Sequence, residues 1–257
     1  MDAMAEIDFR TASEHADAHE ERMTRALDEM IVKAVLYTSG DIDPAAPRGR
    51  PTEAERAGRH FLMREDPRLQ PMPEKPTLID FFRYRFGPAA HLLQSARLAL
   101  KEGLPEKTVL ACLLHDVAVF GFIRADHGYW GAQLIEPYVD EEVSWAVRAH
   151  QALRFYPDEA AGYEYPEVYV RMFGADYRPD PYIDRDYQAA RKHRWYMTAR
   201  LVTLYDYYAF DPAVIVDIEE FTDIIGRNFK QPEEGLGMDN SPSSHMWRTI
   251  IAPTKFL

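Results

Sequence analysis

Residues 113–132 read LLHDVAVFGFIRADHGYWGA. The run opens as the end of an apolar helix and then sets His115 directly beside Asp116. Eleven residues on comes His127, where glycine and aromatic residues replace aliphatic ones. A buried imidazole is unremarkable when one hydrogen bond satisfies it. A carboxylate beside it in an apolar stretch is costly unless it is paired or binds a metal. The pair therefore asks which other polar side chains share the same core.

Three more histidines fall on expected helices. His91 lies among Ala89, Ala90, Leu92 and Leu93. His150 shares a helical face with Val143, Ala146 and Val147, by steps of three and four. A lone histidine on an apolar face is ordinarily a hydrogen-bonded core residue. Four of them beside an aspartate need a common explanation, since each uncompensated buried polar group costs roughly 1–3 kcal/mol. Asp206 adds a second carboxylate inside ARLVTLYDYYAF, where it either binds a metal or sits half-exposed near a helix end. The set His91, His115, Asp116, His127, His150 and Asp206 mixes nitrogen and oxygen donors. That mixture suits iron, manganese or zinc better than calcium. On this reading the HD pair is a bridging carboxylate beside a terminal imidazole.

The rest of the chain is read as an all-α protein. Helices are expected over 11–36, briefly over 52–63, over 88–102 with Pro88 in the first turn and Gly103 as the stop, and from Pro105 through KTVLACLLHD. Further helices are expected from His127 to Pro137 and over 141–154 behind an Asp140 cap. A long one runs from an Asp184 cap to about 209. Another runs from Asp211-Pro212 to Gly226. Residues 157–183, dense in tyrosine and proline, read as irregular. Three regions follow: an N-terminal helix and proline-rich arm (1–78), a metal-binding helical domain (79–227) and an irregular tail wrapping the surface (228–257).

The 257 residues include 46% apolar ones, enough for a substantial core, and carry a formal charge of −12. That charge argues against nucleic acid or an anionic membrane as partner. One cysteine, Cys112, rules out an internal disulfide and a thiolate-rich metal site. The acidic N-terminus lacks a signal-like apolar segment, and no run nears the roughly 20 apolar residues that span a bilayer. The chain reads as cytoplasmic, with a small molecule as partner and homo-oligomerisation open.

The order H…HD…H…H…D over about residues 80–210 resembles the HD-domain superfamily of metal-dependent phosphohydrolases. HLLQSARLA from His91, HGYWGAQLIEP from His127 and HQALRFY from His150 are similar to the HD-fold mixed-valent diiron oxygenases. That branch includes the phosphonate-cleaving and, more distantly, myo-inositol oxygenases. The resemblance implies that His91, His115, Asp116 and Asp206 hold one iron. Asp116 then bridges to a second, held by His127 and His150. It implies oxidation of a C–H bond by dioxygen. Phosphoester hydrolysis, with manganese or zinc as alternative metals, uses the same six ligands. A metal-stabilised module without catalysis is the third reading. Arg154, four residues beyond His150, stands where the branch often has lysine. It either grips an anionic substrate or pairs with a nearby acid. Tyr84, seven residues before His91, either covers the site or packs in the core. His15, His19, His60 and His245 read as solvated, and His193 as a surface residue.

Overall fold

The computed structural model describes residues 14, 16–18, 70–86, 89–121, 126–211 and 213–252. Residues 14 and 16–18 are helical. Otherwise the expected helices over 11–36 and 52–63 lie outside the described residues. The fold is all-α. Among the described residues there is no β-strand, only an isolated bridge between Asp158 and Tyr163. The helices are α1 (Leu78–Tyr84), α2 (Ala90–Lys101), α3 (Glu106–Leu114), α4 (Val117–Gly121), α5 (His127–Ile135), α6 (Glu141–Leu153), α7 (Glu167–Phe173), α8 (Pro181–Ala190), α9 (Tyr196–Tyr207), α10 (Thr222–Asn228) and α11 (Ser244–Ile251).

Local chemistry sets most of these boundaries. Thr77 and Asp80 form a reciprocal capping box at the start of α1. Gly103 follows α2 at φ +69°, where a side chain would be strained. Asp140 caps α6 by accepting a hydrogen bond from the Glu142 amide, and Glu141 and Glu142 occupy the electropositive first turn. The buried face of α6 carries Val143, Ala146, Val147, His150 and Leu153, one apolar stripe with a histidine in it.

A central group forms where α2 packs on α3, α5 on α6, and α9 across α2, α3 and α6. Their shared core includes Leu92, Leu110, Leu113, Leu134, Val143 and Val202, all fully buried. No helix among the described residues is long and apolar enough to cross a membrane.

Three boundaries differ from the sequence reading. The expected helix from Asp184 is two helices, because the chain breaks at 191–195. There the His193 ring stacks on Trp145 of α6 at 3.9 Å, and its Nδ1 accepts the Trp195 amide hydrogen. A side chain that takes a backbone N–H competes with the helix ladder. The first of the two begins at Pro181 behind Asp180, and Asp184 instead accepts a hydrogen bond from the Tyr156 hydroxyl. Residues 157–183, read as irregular, contain α7 and a short 3-10 turn.

The region after residue 228 also carries more order than its composition suggests. Helix α11 buries Trp247 completely, its indole N–H donates to the Leu134 carbonyl, and its ring meets Phe81 edge-on at 4.6 Å. This segment fills the core rather than wrapping the surface. Finally, α10 starts at Thr222, behind a 3-10 turn capped by Asp217, and runs past Gly226 to Asn228.

Candidate metal centre

Each polar residue singled out in the helical core sits at or near a helix end. His91 is in the first turn of α2, and His127 is the first residue of α5. His150 lies in the last turn of α6, and Asp206 in the last turn of α9. Helix α3 ends at Leu114, so His115 and Asp116 form a turn before α4. In a continuous helix, neighbouring residues point about 100° apart. The turn lets two adjacent side chains converge.

They converge with the other four into two overlapping clusters. His91, His115, Asp116 and Asp206 form one, and Asp116, His127 and His150 the other, with candidate donor atoms within 4.8 Å of one another in each. In the first cluster, His91 Nε2 lies 3.1 Å from His115 Nε2 and 2.9 Å from Asp206 Oδ1. Asp116 Oδ2 lies 3.8 and 3.7 Å from those imidazole nitrogens. In the second, His127 Nε2 and His150 Nε2 are 3.2 Å apart, and 3.1 and 3.5 Å from Asp116 Oδ1. Asp116 thus turns one oxygen to each cluster. Donors bonded to one ion at about 2.0–2.2 Å stand roughly 3.0–3.5 Å from one another, close to most of these spacings.

The outer ring nitrogens fix the tautomers. Nδ1 of His91 donates to the Ala209 carbonyl at 3.1 Å, that of His115 to Cys112 at 2.7 Å, and that of His150 to Val147 at 2.6 Å. With Nδ1 so engaged, the neutral ring presents its Nε2 lone pair inward, as metal-binding histidines do. Phe210 stacks on His91 at 4.2 Å and holds that ring further.

The electrostatics point the same way. Asp116 and Asp206 are almost wholly buried, and Asp116 Oδ1 and both Asp206 oxygens accept no hydrogen bond. Burial alone would raise both carboxyls. The imidazoles of His115 and His127 instead hold Asp116 well below the usual carboxylate range, and Arg154 and His115 do so for Asp206. Burial also acts against charge on His115, yet the two aspartates raise it to about 9. Burial lowers His150 to about 4. Buried ionised carboxylates facing inward-turned imidazole nitrogens are the surroundings a divalent cation satisfies.

Residues 89–209 match the family model of the HD domain. The chain carries an HD domain. All six candidate ligands fall within it. The chain is also 32% identical over 78 residues to the [1-hydroxy-2-(trimethylamino)ethyl]phosphonate dioxygenase (glycine-betaine-forming) of Leisingera caerulea. That match spans 26% of this chain and 40% of the relative's length.

Around the HD-domain centre, Arg154 caps the C-terminus of α6. Its Nε stands 3.5 Å from Asp206 Oδ2, and its guanidinium lies over the Tyr169 ring at 5.4 Å. It therefore pairs with an acid, and that acid is itself a candidate ligand. Tyr84 is half-buried at the end of α1, and its carbonyl accepts from Arg85. The six ligand candidates come from other elements. His193 packs on Trp145, and His245 lies beside Arg248 on α11. His15, His19 and His60 lie outside the described residues.

Sequence reasoning passed over Gly128. A Cβ there would come within 3.0 Å of the Arg148 and Val147 carbonyls, so glycine lets α5 lie against α6 and bring His127 to His150. It also passed over Arg200 and Thr203, whose spacing of three before Asp206 was the available signal.

Proposed function

We propose that this chain is a dinuclear iron oxygenase of the HD fold, in which a mixed-valent iron pair activates dioxygen to oxidise a C–H bond of a small anionic or hydroxylated organic substrate. The observation that carries the reading is the division of Asp116 between two donor clusters. The phosphonate dioxygenase relative, and the HLLQSA and HGYWGA segments that resemble the diiron branch, favour oxidation over hydrolysis. Bound iron would supply the redox change and the place where dioxygen reacts.

The protein's own residues do the rest. His91, His115, Asp116 and Asp206 would hold the first ion, and Asp116, His127 and His150 the second. The Nδ1 bonds to backbone carbonyls aim the Nε2 atoms of His91, His115 and His150 inward, and a bound ion would displace the proton that His115 holds in the metal-free fold. Near-complete burial of the donors excludes bulk water, and His127 is the most exposed of the six at 9%. Arg154 is the proposed grip for an anionic group on the substrate, since its positive charge stands at the edge of the first cluster. Tyr84 is proposed to cover the substrate.

The test compares two metal forms. Iron-loaded, partly reduced protein is offered organophosphonates, polyols and hydroxy acids while oxygen is monitored. Zinc- or manganese-loaded protein is offered nucleotides and phosphomonoesters. Substrate-dependent oxygen uptake by the iron form is expected. Phosphate release by the redox-inert form, without oxygen uptake by the iron form, would replace this reading with hydrolysis.

A further inference from the structure

Arg200 of α9 carries a wholly buried guanidinium and is not among the candidate metal donors. Its Nη1 donates to the Leu153 carbonyl at 3.0 Å, and its Nε to the Tyr196 hydroxyl at 3.1 Å. Asp158 Oδ2 lies 3.6 Å from Nε and also accepts from the Tyr196 hydroxyl. Nη2 has no hydrogen-bond partner, although the guanidinium lies over the Tyr163 ring at 5.1 Å. A buried cation with an unsatisfied nitrogen is an expensive way merely to fill space.

Its neighbours show what it holds. One turn further along α9, Thr203 Oγ1 lies 3.0 Å from the His150 carbonyl, within donating distance. Another turn on is Asp206. The Tyr163 hydroxyl donates to the Arg154 carbonyl at 2.9 Å. Residues 200, 203 and 206 thus run along one face of α9 beside the end of α6. There Arg200, Thr203 and Tyr163 reach the carbonyls of Leu153, His150 and Arg154.

We propose that Arg200 is a positioning residue. It locks the C-terminal turn of α6 to α9, so that Arg154 stays beside Asp206 at the edge of the first metal cluster. A lysine would keep the charge but could not reach the Leu153 carbonyl and the Asp158–Tyr196 pair at once. The proposal rests on the cluster being a metal centre, and not on which reaction it performs.

The test uses the whole chain and cobalt(II) alone as probe, with affinity taken from chelator competition and geometry from the visible spectrum. Arg154→Ala removes a cation beside Asp206 and is expected to tighten cobalt binding roughly threefold or more. Arg200→Lys, by releasing Arg154, is expected to shift affinity the same way and to alter the spectrum. In the Arg154→Ala background, adding Arg200→Lys should change neither. If Arg200→Lys does not fold, Tyr163→Phe carries the same cycle, because it deletes only the hydroxyl holding the Arg154 carbonyl. Additive effects, an opposite shift, or a single variant that loses stability while keeping wild-type affinity and spectrum would each overturn the proposal. Failure of the wild-type chain to bind cobalt would remove the metal-centre reading as well, which separates the two failures.

Discussion

The two donor clusters share Asp116 and differ in donor number, in exposure and in how their helices approach. The first gathers four donors, with His91 and His115 oriented by backbone carbonyls and no donor more than 4% exposed. The second gathers three among the described residues. One of them, His127, is 9% exposed and sits on a short helix whose approach depends on Gly128. A site with three protein donors keeps coordination positions for small molecules, whereas a fuller donor set is more closed. The comparison teaches a division of labour. Under the proposed function, the first cluster would anchor a metal and the second would leave room for chemistry.

The strongest way to break this contrast is to remove what the clusters share. Asp116→Ala should drop metal content from about two ions per chain to nearly none, because each cluster loses a carboxylate oxygen. Elemental analysis of anaerobically purified protein reads this directly, and retention of both ions would end the bridging account. His127→Ala should be milder. It should leave about one ion per chain and an unchanged fold by circular dichroism, since the first cluster does not use that residue. Equal losses in the two variants would erase the asymmetry.

Gly128→Ala tests how the second cluster is assembled. The added methyl meets two backbone carbonyls of α6 at 3.0 Å, so α5 must shift. A destabilisation of about 1–3 kcal/mol is expected, with weaker binding of the second ion and the first unaffected. Denaturant unfolding and metal titration together check it. A wild-type second-ion affinity would show that α5 does not need its close seat.

The smallest expected effect is on pH dependence. In the metal-free fold, His115 is raised from 6.5 to about 9. Its stabilising contribution is complete below 6.5 and is lost as pH climbs to about 9. His150 is lowered from 6.5 to about 4, so it costs stability as pH falls through that interval. A bound metal ion displaces the His115 proton and removes the alkaline loss. The gap in Tm between loaded and chelator-stripped protein should therefore widen between about pH 6.5 and 9. A constant gap would mean that His115 does not exchange a proton for metal.

The same contrast shows how far the sequence could be read. His91, His115, His127 and His150 stood out because imidazoles interrupt apolar runs, and Asp206 because aromatic residues surround it. Burial of a polar side chain leaves a trace in pattern alone. The break at 191–195 left none. RKHRW reads as continuous helix until His193 is seen stacked on Trp145, a contact 48 residues away in sequence. Helix α11 was hidden in the same way. Eight residues are too few for periodicity to speak, and the glycine, proline and serine around them outweigh Trp247. Arg200 and Thr203 were passed over because the Leu153 and His150 carbonyls they reach carry no sequence signature, and only their spacing before Asp206 pointed to a shared face.

Whether two ions are joined through Asp116 is read most directly from the anomalous scattering of iron in crystals of the loaded protein. The account predicts two iron peaks about 3.5–4 Å apart, with one Asp116 oxygen on each, His91, His115 and Asp206 on the first, and His127 and His150 on the second. A single peak, or two peaks with His127 and His150 bound to neither, would contradict it.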